Sequence, residues 1–334
     1  MLFIIGLGDL IWEIGALSGR ATWQMQVQHA TWEGLHLYDL IFPLFVYISG
    51  ISMYLSQQKK QRAGQTQISQ IWRLWRRALI LVFLGWLING TLSWNPESMR
   101  FASVLGLIGL SGAMAGSITT LRRGSCWHLL SAVGILGTVW LIQQYCGDYS
   151  PQNCANAAID RLLCPGQLHN VHYDPEGPLC ILSATALSLL GYLSGKVLMY
   201  GRAWQRLLIL TGSGATLLLL SSCGPIIKNI WSPAFVLAAA GWGSLLLAFF
   251  HLICDLLPHR KWWIPFAVVG QNALFIYLIT HIIDFKALTL RIFGGVIAQL
   301  VPANLHGAAI STGFLLLSWL LCTYMYRHRI FIRL

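Results

Sequence analysis

Ten near-continuous apolar runs divide this 334-residue chain, near 2–18, 38–56, 75–93, 101–119, 126–143, 179–199, 206–223, 233–254, 263–283 and 308–325. A helix needs about 20 apolar residues to cross the hydrocarbon core of a bilayer, and these runs meet or approach that length. They are continuous rather than alternating, which excludes a β-barrel. Charged residues make up only 10% of the chain and hydrophobic ones 56%, whereas a soluble domain carries about 25% charged residues. Disordered chains, disulfide-stapled scaffolds and ordinary cytosolic enzymes are thereby excluded. The sequence predicts an all-α, polytopic integral membrane protein of about ten transmembrane helices, forming a single domain over 1–334.

The formal net charge of +11 reads as topology rather than as affinity for nucleic acid, because no basic stretch is interleaved with aromatics on a soluble module. With both termini in the cytoplasm, sixteen of the 22 Lys and Arg fall on the inner side, a clear positive-inside bias. Arg76, Arg77, Arg122, Arg123, Arg260, Lys261 and Arg333 are among them. Of the 11 acids only Asp255 falls inside; the rest, Asp9, Glu13, Asp39 and Glu97 included, fall on outer loops or in outer halves of spans. This predicts a multi-pass protein of the inner (plasma) membrane, in contact with membrane lipid, with outer segments at 19–37, 144–178 and 284–307. The last is amphipathic and is expected at the outer interface or as a re-entrant piece. No internal repeat suggests a two-halved transporter, and no cleavable signal peptide is expected.

The eight cysteines show no C-x-x-C pair or zinc-like Cys/His spacing, so no metal is expected. Cys146, Cys154 and Cys164 share one outer loop, where either a disulfide or free thiols would fit. P-loop, dinucleotide, nucleophile-elbow and H-E-x-x-H signatures are missing. What stands out is QHATWEGLHLYDLIFPLFVYISGISMYL, residues 28–55. It puts His29 in a short outer loop, where an imidazole can serve as a base near neutral pH. Asp39, ten residues on, can orient that ring. The plainer alternative for His29 is an interfacial polar residue.

These residues resemble the signature of the heparan-α-glucosaminide N-acetyltransferase family and its bacterial relatives, H-x-x-W-x-G-x-x-x-x-D-L-[IV]-F-P-x-F-x-[FY]-I-x-G-x-S. Here it is His29, Trp32, Gly34, Asp39, Leu40, Ile41, Phe42, Pro43, Phe45, Tyr47, Ile48, Gly50 and Ser52. Further stretches look like family blocks in the same order: YDPEGPLCILSATALSLLGYLSG (173–195), PIIKNIWSPAFVL (225–237), VVGQNALFIYLITHII (268–283) and, more weakly, RFASVLGLIGLSG (100–112). The resemblance covers nearly the whole chain.

It implies a transmembrane acyltransferase that moves acetyl from cytoplasmic acetyl-CoA to an amine or hydroxyl of an amino sugar or glycan on the far side. His29 would act as catalytic base or as a transient acetyl carrier, with Asp39 beside it. A basic inner face suits CoA phosphates, so Arg76, Arg77, Arg122 and Arg123 are candidates there; they also serve as topology determinants. Asp9, Trp32, Asp174, Glu176, Lys228 and Asn272 are candidates for the acceptor side. Asp174 and Glu176 equally suit a turn that caps the next helix. Lys228 suits an interfacial anchor, and Asn272 a structural hydrogen bond within a span. Gly106, Gly109, Gly112, Gly116, Gly212 and Gly214 either leave room for the thioester or bring helices close. A homodimer is the candidate assembly.

Three departures from the family pattern bear on activity. The chain starts inside the first expected helix, without the L-D-x-x-R-G-like segment of relatives. Gly8 and Asp9 occupy the stretch where lysosomal-type members carry an Asn. Leu107 stands where many members have an Arg. A sugar permease, and a non-catalytic relative that binds glycan, are the competing readings.

Overall fold

In a computed structural model, the described residues are 1–91, 99–257 and 263–332. Glu97, Arg260, Lys261 and Arg333 lie outside them. The described residues are all-helical, apart from isolated β-bridges at Glu33–Ile227 and Arg100–Gly166. In chain order the helices are α1 (Gly8–Leu17), α2 (Ala21–Gln26), α3 (Ile41–Arg62), α4 (Gln67–Ile88), α5 (Val104–Leu121), α6 (Ser125–Tyr145), α7 (Ala155–Leu163), α8 (Pro178–Val197), α9 (Ala203–Ser221), α10 (Pro233–His251), α11 (Ile264–Gln271), α12 (Ala273–Ile282), α13 (Phe285–Leu300) and α14 (His306–Arg327).

Among the described residues seven helices are long and apolar enough to cross a membrane: α3, α5, α6, α8, α9, α10 and α14. The bent pair α11 and α12 makes an eighth if it is one span. Two of the ten expected runs do not form a helix of that kind, for local reasons. The run at 2–18 does not form one helix, because a π-helical turn at Phe3–Leu7 is broken at Gly6, whose φ is +114°. Only Gly8–Leu17 then continues as α-helix, about 15 Å of rise at 1.5 Å per residue. The expected span at 75–93 belongs to α4, which starts earlier, where the Thr66 hydroxyl accepts the Ser69 N–H at 3.4 Å. This start adds Arg73 to Arg76 and Arg77, which the expected span already held, and leaves only the C-terminal half of the helix apolar. The run at 263–283 is split at Asn272, with a 67° bend between α11 and α12. The stretch at 284–307 contains the 16-residue α13, capped by Asp284 through the N–H groups of Lys286 and Ala287.

The chain forms two compact units. One comprises Met1–Ala30, His36–Ile41 and Pro258–Leu334. Within it α13, α11 and α1 pack on α14. Ile5, Val268, Val269, Ile276, Phe285, Phe314 and Cys322 form its apolar core.

The other unit comprises Thr31–Leu35 and Phe42–Leu257. It is built around α8, against which α5, α6 and α10 pack, with α4 on α5 and α9 on α10. Helices α3 and α8 meet backbone to backbone. A Cβ on Gly50 would collide with the Ser188 carbonyl, one on Gly191 with the Tyr47 carbonyl, and one on Gly195 would lie 3.0 Å from Ile51 Cα. Small residues four apart permit that approach. Most of the other small-residue positions also serve packing: Gly109 lies against Ala78, Gly116 against Leu74, and Gly214 against Leu245 and Gly241. Gly112 and Gly212 face open space.

The segment expected as an outer loop at 144–178 carries α7, tied to its neighbours by polar side chains. Gln143 Nε2 donates to Asn156 Oδ1 (3.0 Å) and to the Ile230 carbonyl (2.9 Å). Cys146, Cys154 and Cys164 are free thiols, as are the other five cysteines. Among the described residues no group of three or more His, Cys, Asp or Glu could hold a metal ion.

Candidate active site

His29 and Asp39 meet within the first unit. After α2 the chain passes through a turn and a series of bends and returns through a 3-10 turn at Leu37–Leu40. That return is stitched to the end of α2 and the residues just after it. Gln26 Oε1 accepts the Leu37 N–H at 3.0 Å, and the Gln28 carbonyl lies 3.1 Å from His36 Nδ1. Asp39 Oδ2 accepts the backbone N–H groups of Ala30 (3.1 Å) and His36 (3.0 Å). Its other oxygen, Oδ1, is 2.7 Å from His29 Nδ1.

The Asp39 side chain is 1% exposed and that of His29 52%. A buried carboxylate is thus fixed by two backbone donors and aims its remaining oxygen at a half-exposed imidazole. In the neutral ring this holds the proton on Nδ1 and puts the lone pair on Nε2, a tautomer suited to accept a proton. If the ring gains that proton, the Asp39 charge stabilises the imidazolium. The ring also leans on Tyr38, with centroids 4.7 Å apart and planes at 56°. Tyr38 carried no signal of its own in the sequence beyond its place beside Asp39.

Asp9 lies in the first turn of α1, and its Oδ2 is 3.0 Å from Lys286 Nζ, both side chains being nearly half exposed. Such exposed pairs contribute little stability. Asn272 sits at the break between α11 and α12, and its amide is spent on the C-terminal tail. Nδ2 donates to the Ile330 carbonyl at 3.0 Å and Oδ1 accepts the Ile332 N–H at 3.1 Å. Both bonds are made to backbone rather than across a span.

In the second unit Trp32 is likewise engaged. Its indole N–H donates to the Tyr149 carbonyl at 2.7 Å, and its ring meets Tyr173 edge-on at 5.3 Å. Cys154, Ala157, Tyr173, Ile227 and Ile230 form the apolar cluster beneath it. Lys228 is half-buried in a 3-10 turn ahead of Trp231, which is buried and left-handed (φ +48°). The Ser232 hydroxyl accepts the Ile227 N–H at 3.1 Å and caps α10 through the Phe235 N–H at 3.3 Å, fixing this turn.

Asp174 and Glu176 are gathered by a residue that the sequence reading left as a block opener. Arg100 Nε donates to Asp174 Oδ2 (2.8 Å), its Nη2 to Asp174 Oδ1 (2.7 Å), and the same nitrogen reaches Glu176 Oε2. Asp174 is fully buried and also accepts the N–H groups of His169 (2.9 Å) and Glu176 (3.0 Å). With the Gly177 N–H bonded to the Asp174 carbonyl at 3.0 Å, these bonds make D-P-E-G a turn ahead of Pro178 in the first turn of α8, a helix whose N-cap, Gly177, has no side-chain cap bond.

A third acid, Asp160 of α7, completes the cluster. Its Oδ2 accepts the Asp174 N–H at 2.9 Å, and its carboxyl lies so close to Gly177 that no side chain would fit there. Burial drives Glu176 up to about 8, with the Asp174 charge adding and Arg100 opposing. Burial likewise raises Asp160 to about 7, the Asp174 N–H opposing and the Asp174 charge adding. For Asp174 burial also acts upward, but the bonds and charge of Arg100 outweigh it and hold the carboxyl below its ordinary value.

Of the basic candidates, Arg76 and Arg77 are exposed on α4, and Arg123 is exposed in the α5–α6 connection. Arg122 lays its guanidinium over the Trp127 ring, 4.4 Å from the centroid. Leu107, at the position where an Arg was considered, is buried in α5.

Residues 15–220 match the family described as heparan-alpha-glucosaminide N-acetyltransferase, catalytic. The heparan-alpha-glucosaminide N-acetyltransferases of Homo sapiens and Mus musculus are each 25% identical to this chain, over 75% of its length and 48% of theirs. The chain spans about half the length of these curated relatives.

Proposed function

Because this chain belongs to the heparan-alpha-glucosaminide N-acetyltransferase catalytic family, we propose that it is a membrane-bound acetyltransferase. Its acetyl donor is acetyl-CoA, and its acceptor is an amino sugar or glycan. The observation that carries this reading is the 2.7 Å contact between His29 Nδ1 and Asp39 Oδ1, a buried acid orienting a half-exposed base.

The chemistry follows from that pair. The acceptor nitrogen attacks the thioester carbonyl carbon while His29 Nε2 removes its proton. The tetrahedral centre then collapses with loss of the C–S bond. The imidazolium, held by Asp39, returns the proton to the CoA sulfur, leaving free CoA and an N-acetylated acceptor; a hydroxyl acceptor gives an ester by the same path. Positioned general acid–base groups of this kind contribute roughly 10²–10⁴-fold. Acetyl transfer through His29 itself would use the same nucleophilic Nε2.

We place both termini and the basic face on the cytoplasmic side of the plasma membrane, with His29 opening to the far side. The 16-to-6 distribution of basic residues supports that orientation. Arg76, Arg77 and Arg123 are the proposed contacts for CoA phosphates, being exposed on one basic face. Lys228 is the proposed acceptor-side cation. The burial of Asp174, and its capture by Arg100, favour a supporting role for the D-P-E-G turn over direct acceptor contact.

Thiol release tests the proposal. Purified protein is incubated with acetyl-CoA and a panel of amino sugars, glucosamine included. Release that requires both an acceptor and His29 supports it. Acceptor-independent release, equal in His29→Ala, refutes it. Uptake of labelled sugar into proteoliposomes without CoA would establish the permease instead.

A further inference from the structure

A groove of about 540 Å³ opens on the second unit between the end of α5 and the outward face of α6. Its volume lies within the range of about 300–1,000 Å³ typical of small-molecule sites. Arg122 and Trp127 stand at one end. Ser131, Gly134 and Thr138 line it along α6, four, seven and eleven residues after Trp127, so they follow one helix face. Ile118 and Leu121 of α5 wall one side, and Leu182 of α8 lines it as well. The lining is apolar in effect, because the Thr138 hydroxyl is spent on the Gly134 carbonyl at 2.8 Å.

Three properties identify the occupant. From Trp127 to Thr138 the groove follows eleven residues of α6, about 16 Å at 1.5 Å per residue. That is half of a hydrocarbon core of about 30 Å, the depth of one leaflet. The charged end is cationic, with Arg122 over Trp127 at 4.4 Å, Arg123 adjacent, and Lys196 reaching Ser125 Oγ from the end of α8. Basic pockets between spanning helices recognise anionic headgroups, and interfacial Trp marks headgroup depth. The floor is open as well: a Cβ on Gly134 would meet nothing within 4 Å.

We infer that this groove holds one acyl chain of an anionic phospholipid, with its phosphate on Arg122. The inference depends on α5 and α6 spanning a membrane and not on the acetyltransferase reading. It assigns Arg122 a partner other than CoA.

The test uses the full chain in nanodiscs of equal phosphatidylglycerol and phosphatidylcholine, followed by native mass spectrometry of the extracted protein. Wild type should retain phosphatidylglycerol in preference to phosphatidylcholine. Arg122→Gln should cut that preference about fivefold, the worth of one basic residue at a lipid surface. Gly134→Leu should abolish retention by filling the floor. Because that side chain enters open space, the variant should keep its fold and wild-type thiol release, so loss of lipid and loss of catalysis remain distinguishable. Retention unchanged in Gly134→Leu would overturn the inference. Displacement of the lipid by acetyl-CoA would overturn it in favour of the donor. A dimer that dissociates in Gly134→Leu, with no lipid retained by wild type, would overturn it in favour of a second copy of the chain.

Discussion

Arg100 grips Asp174 with two nitrogens, Nε on Oδ2 at 2.8 Å and Nη2 on Oδ1 at 2.7 Å, and so locks a fully buried carboxylate between α7 and the start of α8. A forked guanidinium suits that pairing, and an ammonium does not. The bridge sits in the segment that the sequence presents as a polar loop, and it converts that segment into a packed layer.

Removing Arg100 leaves Asp174 buried without its counter-charge. Breaking a buried pair on one side costs about 3–5 kcal/mol. Arg100→Met should therefore lower the melting temperature sharply, and Arg100→Lys should fall between it and wild type. Thermal unfolding followed by intrinsic fluorescence checks both. An unchanged melting temperature in Arg100→Met would show that the bridge contributes nothing.

The acid cluster makes stability depend on pH. Glu176 and Asp160 are raised to about 8 and about 7, so the folded state holds protons that the unfolded chain gives up. Their contribution is full below the unfolded carboxyl values of about 4 and is lost as pH climbs through about 7 and 8. Asp174 works in the opposite sense: its contribution is present above its unfolded value and lost as pH falls through its lowered folded value. Unfolding midpoints should thus decline between pH 6 and pH 9 in wild type. The double variant Asp160→Asn, Glu176→Gln should show a flatter decline and exceed wild type at pH 9. Parallel curves would contradict the assignment.

The membrane class and most spans were legible in the sequence, because a continuous apolar run has few other uses. The pairing of His29 with Asp39 was also legible, since both stand in one short block. The two expected spans that do not form one long apolar helix differ through local backbone: Gly6 takes a conformation that ends a helix, and Thr66 starts α4 early enough to add Arg73 to the two arginines already expected there. Helix α7 was missed because ANAAIDRLL is only nine residues long and lies inside a polar segment that contains Pro and Gly and so reads as a loop. Arg100 and Asp160 were not assigned to the D-P-E-G turn, because they lie 74 and 14 residues from Asp174 and sequence distance hides such a cluster. The bonding of Asn272 to the tail was hidden in the same way, across 58 and 60 residues.

Helix contacts at glycine give a third prediction. Gly50→Val and Gly191→Val should abolish the monodisperse peak in size-exclusion chromatography, since each added Cβ meets carbonyl oxygen of the facing helix. Gly112→Ala and Gly212→Ala should be tolerated, because nothing lies within 4 Å of either added carbon. A normal profile for Gly50→Val would contradict the close approach of α3 and α8.

Loss of the Asn272 amide frees two backbone groups of the tail. An unmade buried hydrogen bond costs about 1–3 kcal/mol. Asn272→Leu should therefore raise hydrogen exchange at the Ile332 N–H and expose the tail to protease, while thiol release persists. Loss of acceptor-dependent turnover with an unmoved tail would instead assign Asn272 to the substrate.

The central claim is that His29, oriented by Asp39, moves the proton during acetyl transfer. The most direct measurement is acceptor-dependent thiol release by wild type, His29→Ala and Asp39→Asn at saturating acetyl-CoA, with folding monitored in parallel. The account predicts a fall of roughly 10²–10⁴-fold for His29→Ala, an intermediate fall for Asp39→Asn, and melting temperatures close to wild type for the His29 variant. Turnover by His29→Ala at the wild-type rate would contradict it.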